Sequence, residues 1–113
     1  MRKIKTAVLG AGFMGKVHVE QIRRLGNVEV VALAAVSEEE ARGFGAAYSI
    51  DRTTADWQSL LADPAIEAVH VCTPNALHAP MSKAALEAGK AVLCEKPLTM
   101  SVAEAQELVE LAK

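Results

Sequence analysis

Gly10, Gly12 and Gly15 follow directly on the apolar run from Ile4 to Leu9, and a helical pattern starts immediately after them. A strand, a tight turn and a helix in that order, with glycines spaced G-x-G-x-x-G, are what a dinucleotide-binding turn requires. Gly10 lets the chain turn where a Cβ would clash. Gly12 lets the backbone come close to a pyrophosphate, and Gly15 lets the helix lie against the strand. The helix that follows points unpaired N–H groups and the positive end of its dipole at the phosphates. A charge at such a terminus gains roughly 0.3–1 kcal/mol.

The rest of the chain repeats the same alternation. Residues 3–9 read as the first strand and 13–25 as the first helix, with Met14, Val17, Ile22 and Leu25 as its apolar stripe and His18 as a packing residue. Residues 28–36 are almost wholly apolar, as suits a strand covered on both faces. Ser37, with Glu40 three residues on, forms a capping box, and Glu38 to Glu40 favour the dipole of a helix running to about 47. Gly43 and Gly45 predict that this helix is short or irregular. A brief strand at 48–52 and a helix at 54–61 follow, the latter carrying Trp57, Leu60 and Leu61. Strands at 68–72 and 91–94 flank a helix at 76–88, and Ser101 with Glu104 caps a last helix from 102 to near 113. Strand–helix alternation means a parallel sheet with right-handed crossovers, an α/β doubly wound fold of order 3-2-1-4-5. The order reverses between strands one and four, and ligands bind above such a switch point.

Composition narrows the partners. The 113 residues make one domain, 1–113, and 51% hydrophobic content with 4% aromatic gives a core of Ala, Val, Leu and Ile. A net charge of −2 carries no footprint for nucleic acid or a membrane surface. No apolar stretch is long enough to span a bilayer, and the N-terminus does not read as a signal peptide. Cys72 and Cys94 lack metal-ligand spacing and read as two buried, reduced thiols, so a cytoplasmic location is expected and no metal site. They end neighbouring strands and are expected to lie near each other.

Three turns converge on one rim, at the C-terminal ends of strands: Gly10 to Gly15, Thr73-Pro74-Asn75 with His78 three residues on, and Glu95-Lys96-Pro97. On these motifs the chain resembles, over essentially its whole length, the N-terminal domain of the glucose–fructose oxidoreductase, inositol dehydrogenase and rhizopine-catabolism family of NAD(P)-dependent oxidoreductases. The resemblance implies that Phe13 and Met14 offer backbone N–H groups to the pyrophosphate. It implies that Thr73, Pro74, Asn75 and His78 line the cofactor's path to the nicotinamide and that Glu95 contacts the nicotinamide ribose region. Lys96 would be the catalytic residue, reaching the hydroxyl on the reacting carbon, and the Lys96–Pro97 bond would be cis.

The residue types suit that chemistry. Taking a hydride from a carbinol carbon requires removal of the hydroxyl proton, and a lysine ammonium hydrogen-bonds that oxygen and stabilises its developing charge. Two features depart from the family pattern. The acidic residue that holds the ribose 2′-OH, about 20 residues past the glycine turn, is replaced by Ala35. Ser37 is placed to hydrogen-bond a 2′-phosphate, but no arginine stands beside it and Glu38 to Glu40 repel a phosphate unless they point away. NADP and NAD both stay open, with a slight lean to NADP. The family also continues into a sixth strand and a substrate domain that supplies a catalytic histidine, both absent from these residues. The chain alone is therefore expected to bind cofactor weakly at best, without turnover, and to meet its small-molecule substrate through that domain. The uncovered fifth strand predicts a homodimer. Two other classes stay open: a non-catalytic nucleotide- or CoA-binding module, and a structural or assembly unit.

Overall fold

A computed structural model describes residues 2–113. Five parallel strands form one sheet: β1 (Ile4–Leu9), β2 (Val28–Ala34), β3 (Arg52–Thr54), β4 (Ala68–Val71) and β5 (Ala91–Cys94), in the spatial order β3-β2-β1-β4-β5. The order matches the sequence expectation. The central strand is the most apolar: Ala7, Val8 and Leu9 are wholly buried. Alternation along β1 splits the core into two clusters. Ala7 and Leu9 face Leu60, Met81 and Ala85, whereas Val8 faces Val19, Ile22 and Ile50. The pairing of β1 with β2 shifts register between Thr6 and Ala7, skipping Val31, so that Val30 and Leu33 both reach the second cluster. The Thr6 hydroxyl, buried in this floor, donates to the Ala68 carbonyl at 2.9 Å.

Five helices connect or follow the strands: α1 (Phe13–Ile22), α2 (Glu38–Tyr48), α3 (Trp57–Leu61), α4 (His78–Glu87) and α5 (Val102–Ala112). Ser37 caps α2 and Ser101 caps α5 as expected, each hydroxyl oxygen accepting the N–H three residues on. Several boundaries differ from expectation. Helix α1 stops at Ile22, and its buried face is Gly15, Val19 and Ile22, while Leu25 is exposed. Strand β2 ends at Ala34, leaving Val36 in solvent. Helix α2 runs unbroken through Gly43 and Gly45 to Tyr48, where Ser49 in the left-handed region ends it. A Cβ at Gly45 would lie 2.5 Å from Thr53 Cγ2, so packing against β3 outweighs the propensity penalty there. Tyr48 thus belongs to helix, and β3 starts only at Arg52; α3 shrinks to five residues. A 3-10 turn, Asn75–Leu77, precedes α4. No helix among the described residues is long and apolar enough to cross a membrane.

Candidate dinucleotide site

Every element of the site hangs from a C-terminal strand end. The Gly10 N–H donates to the Ala34 carbonyl at 2.8 Å, locking the glycine turn to the end of β2. Gly10 adopts φ +119°, and a Cβ there would meet the Cys72 carbonyl oxygen at 2.6 Å. Gly15 packs its α-carbon onto the turn itself: a Cβ would stand 2.2 Å from the Gly10 carbonyl oxygen. These two glycines are therefore structural. Gly12 is different, because a Cβ at that position meets nothing within 4 Å and points into open space. Gly12 is also the N-cap of α1, with no side-chain cap among the described residues, so the first-turn N–H groups of the helix are free for a ligand.

Above this turn lies a cavity of about 660 Å³, within the range of cofactor sites. Gly10, Gly12, Phe13, Met14, Thr73 and Pro74 all line it, so the glycine turn and the β4 exit meet as the sequence implied. Its far end is built from Ala35 and Val36 after β2, Trp57 of α3, and Glu40, the charged side chain of the lining among the described residues. Pattern reading assigned Trp57 to a core stripe and Glu40 to capping, and neither pointed to a ligand. Glu38 is not in the lining, and its carboxylate accepts the Ala55 N–H at 2.7 Å. Ser37 stands outside the lining, its hydroxyl oxygen engaged by the Glu40 N–H at 3.1 Å.

The other expected residues sit around the cavity rather than in its wall. Asn75 opens the 3-10 turn beside Pro74. His78 is 1% exposed, and its ring nitrogens lie 2.7 Å from the Thr73 and Pro97 carbonyl oxygens. It joins the two rim turns and is not among the residues lining the cavity. Glu95 continues the ladder, its N–H donating to the Val71 carbonyl at 2.9 Å, and Lys96 follows on the exposed rim. The Lys96–Pro97 bond is cis.

His18 is more than a packing residue. Its Nε2 lies 2.5 Å from a Glu95 carboxylate oxygen and its Nδ1 lies 2.9 Å from Nδ1 of His70. The only sequence signal was its place one turn beyond Gly15, on the helix face laid against the sheet. His18 holds the Glu95 carboxyl below its usual range, and burial lowers His70 to about 4, with the His18 charge adding to this. The Cys72 thiol is pushed up to about 12 by burial and the Cys94 thiol is also raised, so both stay protonated. Both cysteines are free and half-buried rather than fully buried, with Cys94 paired in register to Val71.

The His70 shift has a consequence for stability. The unfolded ring takes up a proton as pH falls through 6.5, whereas the folded ring resists until about 4. Its contribution is whole above pH 6.5 and is lost on descending to about pH 4. We expect a loss of about 1–3 kcal/mol across this window, allowing for solvent screening around the ring. Urea unfolding at pH 7 and pH 4.5 checks this, and His70→Asn should remove that part of the slope.

The comparisons with known proteins agree with this architecture. Residues 4–113 match the oxidoreductase family described by an NAD-binding Rossmann fold. The chain belongs to that family. Inositol 2-dehydrogenase of Mycolicibacterium smegmatis is 38% identical over 110 residues, which are 96% of this chain and 32% of that protein. An uncharacterized oxidoreductase of Bacillus subtilis, YrbE, is 37% identical over 94% of this chain and 31% of its own length. Levoglucosan dehydrogenase, solved with NADH and L-sorbose, superposes with a TM-score of 0.94 at 31% identity, covering 99% of this chain and 32% of that one. A biliverdin reductase from Synechocystis, solved with biliverdin and NADP+, gives 0.90 at 31% identity over 96% and 34%. The chain thus spans about a third of the length of these relatives, and members similar to it bind either dinucleotide.

Proposed function

We propose that this chain is the dinucleotide-binding part of an oxidoreductase that moves a hydride between a nicotinamide and a sugar, polyol or related hydroxy or carbonyl compound. The observation that carries the reading is the uncapped start of α1 beside the open space at Gly12, facing a cavity at the switch point of the sheet. The residues present suit a dinucleotide. Phe13 and Met14 contribute free N–H groups for a pyrophosphate, and Val36, Trp57 and Leu77 present apolar surface on which flat rings can lie. A bound nicotinamide supplies or accepts the hydride. Lys96 holds a proton on the substrate oxygen, with the substrate itself held by a domain beyond these residues.

Glu40 bears on the choice of dinucleotide. Glu40 lines the end of the cavity that follows β2, where the adenosine ribose is read in doubly wound folds. Against the slight lean to NADP from sequence, this charge opposes a 2′-phosphate, and the Ser37 hydroxyl that would favour one stands outside the lining. Calorimetric titration with NADH and NADPH tests the reading, with saturable binding expected. Glu40→Gln should improve NADPH relative to NADH about three- to tenfold, the effect of roughly 1 kcal/mol of screened repulsion. Absence of binding for both ligands would leave a structural unit as the reading.

We also propose that β5 is covered in the assembled protein. Its outer edge is unpaired among the described residues, with Leu93 of the strand exposed. A second copy pairing there makes a dimer. Light scattering reads this, and a strictly monomeric species at high concentration counts against it.

A further inference from the structure

Below the Glu95-Lys96-Pro97 turn, three titratable side chains from three elements meet. His18 comes from α1, His70 from β4, and Glu95 follows β5. The imidazoles stand edge to face, centroids 5.1 Å apart at 85°, with the His18 side chain only 10% exposed. Counting protons fixes what such a chain can be. Two facing Nδ1 atoms at 2.9 Å bond only if one carries hydrogen and the other does not. The carboxylate of Glu95 only accepts, so the hydrogen between it and His18 belongs to Nε2 of His18. With His18 neutral, its Nδ1 accepts and His70 donates through Nδ1–H. With His18 doubly protonated, the inner bond reverses. In both states the Nε2–H donation to Glu95 survives.

This geometry has a direction relative to the cavity. The β2 end takes the adenosine side of a dinucleotide in a doubly wound sheet, so the ends of β4 and β5 take the nicotinamide side. The Glu95 backbone is already fixed by its bond to Val71, and the side chain is what His18 orients. An apolar filler would pack this place without desolvating two imidazoles and a carboxylate, so stability alone does not account for the trio. We propose that His18 is a positioning residue, holding the Glu95 carboxylate and the adjoining Lys96 turn at the nicotinamide end of the cavity while His70 fixes the orientation of its ring. The proposal rests on the dinucleotide reading above.

The test compares two ligands and two substitutions. ADP carries the adenosine and two phosphates but lacks the nicotinamide and its ribose, so NADH and ADP read the two ends separately. His18→Met should weaken NADH about tenfold while changing ADP less than twofold. His18→Gln, which returns an N–H near the place of Nε2, should recover most of the NADH affinity. Equal losses for NADH and ADP, or no loss for either, would overturn the positioning role. A carboxyl titration followed by carbon NMR tests the tether without any ligand. Glu95 is faced by His18 from α1, by its neighbour Lys96 and by the protonated Cys72 and Cys94 thiols. In His18→Met its titration should rise toward the ordinary carboxylate value, and an unmoved titration overturns the tether itself. If the unsubstituted chain binds neither ligand, the dinucleotide reading fails and the nicotinamide-end role falls with it, while the carboxyl titration still decides the tether.

Discussion

Gly10→Ala is expected to destabilise the chain by about 3–5 kcal/mol, the sum of a forbidden backbone angle and a steric overlap. The native φ of +119° lies where an L side chain is strained whatever the space around it. The new Cβ would also sit 2.6 Å from the Cys72 carbonyl oxygen and 3.0 Å from the Thr73 nitrogen. Both contacts are backbone, and that backbone leaves β4 directly for the rim. Neither partner can rotate away, so the turn or the strand end must move. Urea unfolding measures the change, and a loss below about 1 kcal/mol, the typical effect of a point substitution, would show that the turn is softer than its geometry implies.

Gly12→Val should do the reverse. With φ −86° and no atom within 4 Å of its Cβ, this position accepts a side chain without overlap. Valine is a poorer N-cap than glycine, so stability should fall by no more than about 1 kcal/mol. The isopropyl group, however, would occupy the space into which a pyrophosphate must come to reach the Phe13 and Met14 N–H groups. Dinucleotide affinity should drop at least about a hundredfold, equivalent to roughly 3 kcal/mol. Calorimetry with NADH on a variant whose thermal midpoint is unchanged separates lost binding from lost fold. Together the two substitutions divide one motif into a glycine that shapes the chain and a glycine that admits the ligand.

The sheet order, the rim turns and both serine caps were legible because each depends on short-range patterns. Apolar runs, glycine spacing and a hydroxyl three residues before a helical N–H are all local. The errors have local causes too. The strand expected at 48–52 starts only at Arg52, because Ser49 in the left-handed region leaves Tyr48 as the last residue of α2. Gly45 was read as a weakness in a helix when close packing on β3 requires it. At the site, Glu40 and Trp57 serve both the helix or core and the cavity, and a residue with a sufficient structural reason advertises no second one. His18 and His70 are 52 positions apart in the chain, and nothing in a single sequence pairs them. Motifs announce the ligand, whereas the side chains that orient those motifs come from a distance.

The division between floor and rim shapes how such a domain can change. Phe13, Ser37, Asn75 and Lys96 belong to neither hydrophobic cluster, while the clusters themselves are built mostly from strand and helix residues, with Ile50 and Ile66 from loops. Turns at strand ends can therefore be exchanged almost as independent cassettes, with the sheet beneath indifferent to what they recognise. The exceptions are the positions where a turn is tied to the frame: Gly10 on Cys72, Gly15 on Gly10, Glu95 held by His18, and Thr73 and Pro97 joined through His78. A designer grafting a new specificity onto this frame would leave those ties alone and vary the rest.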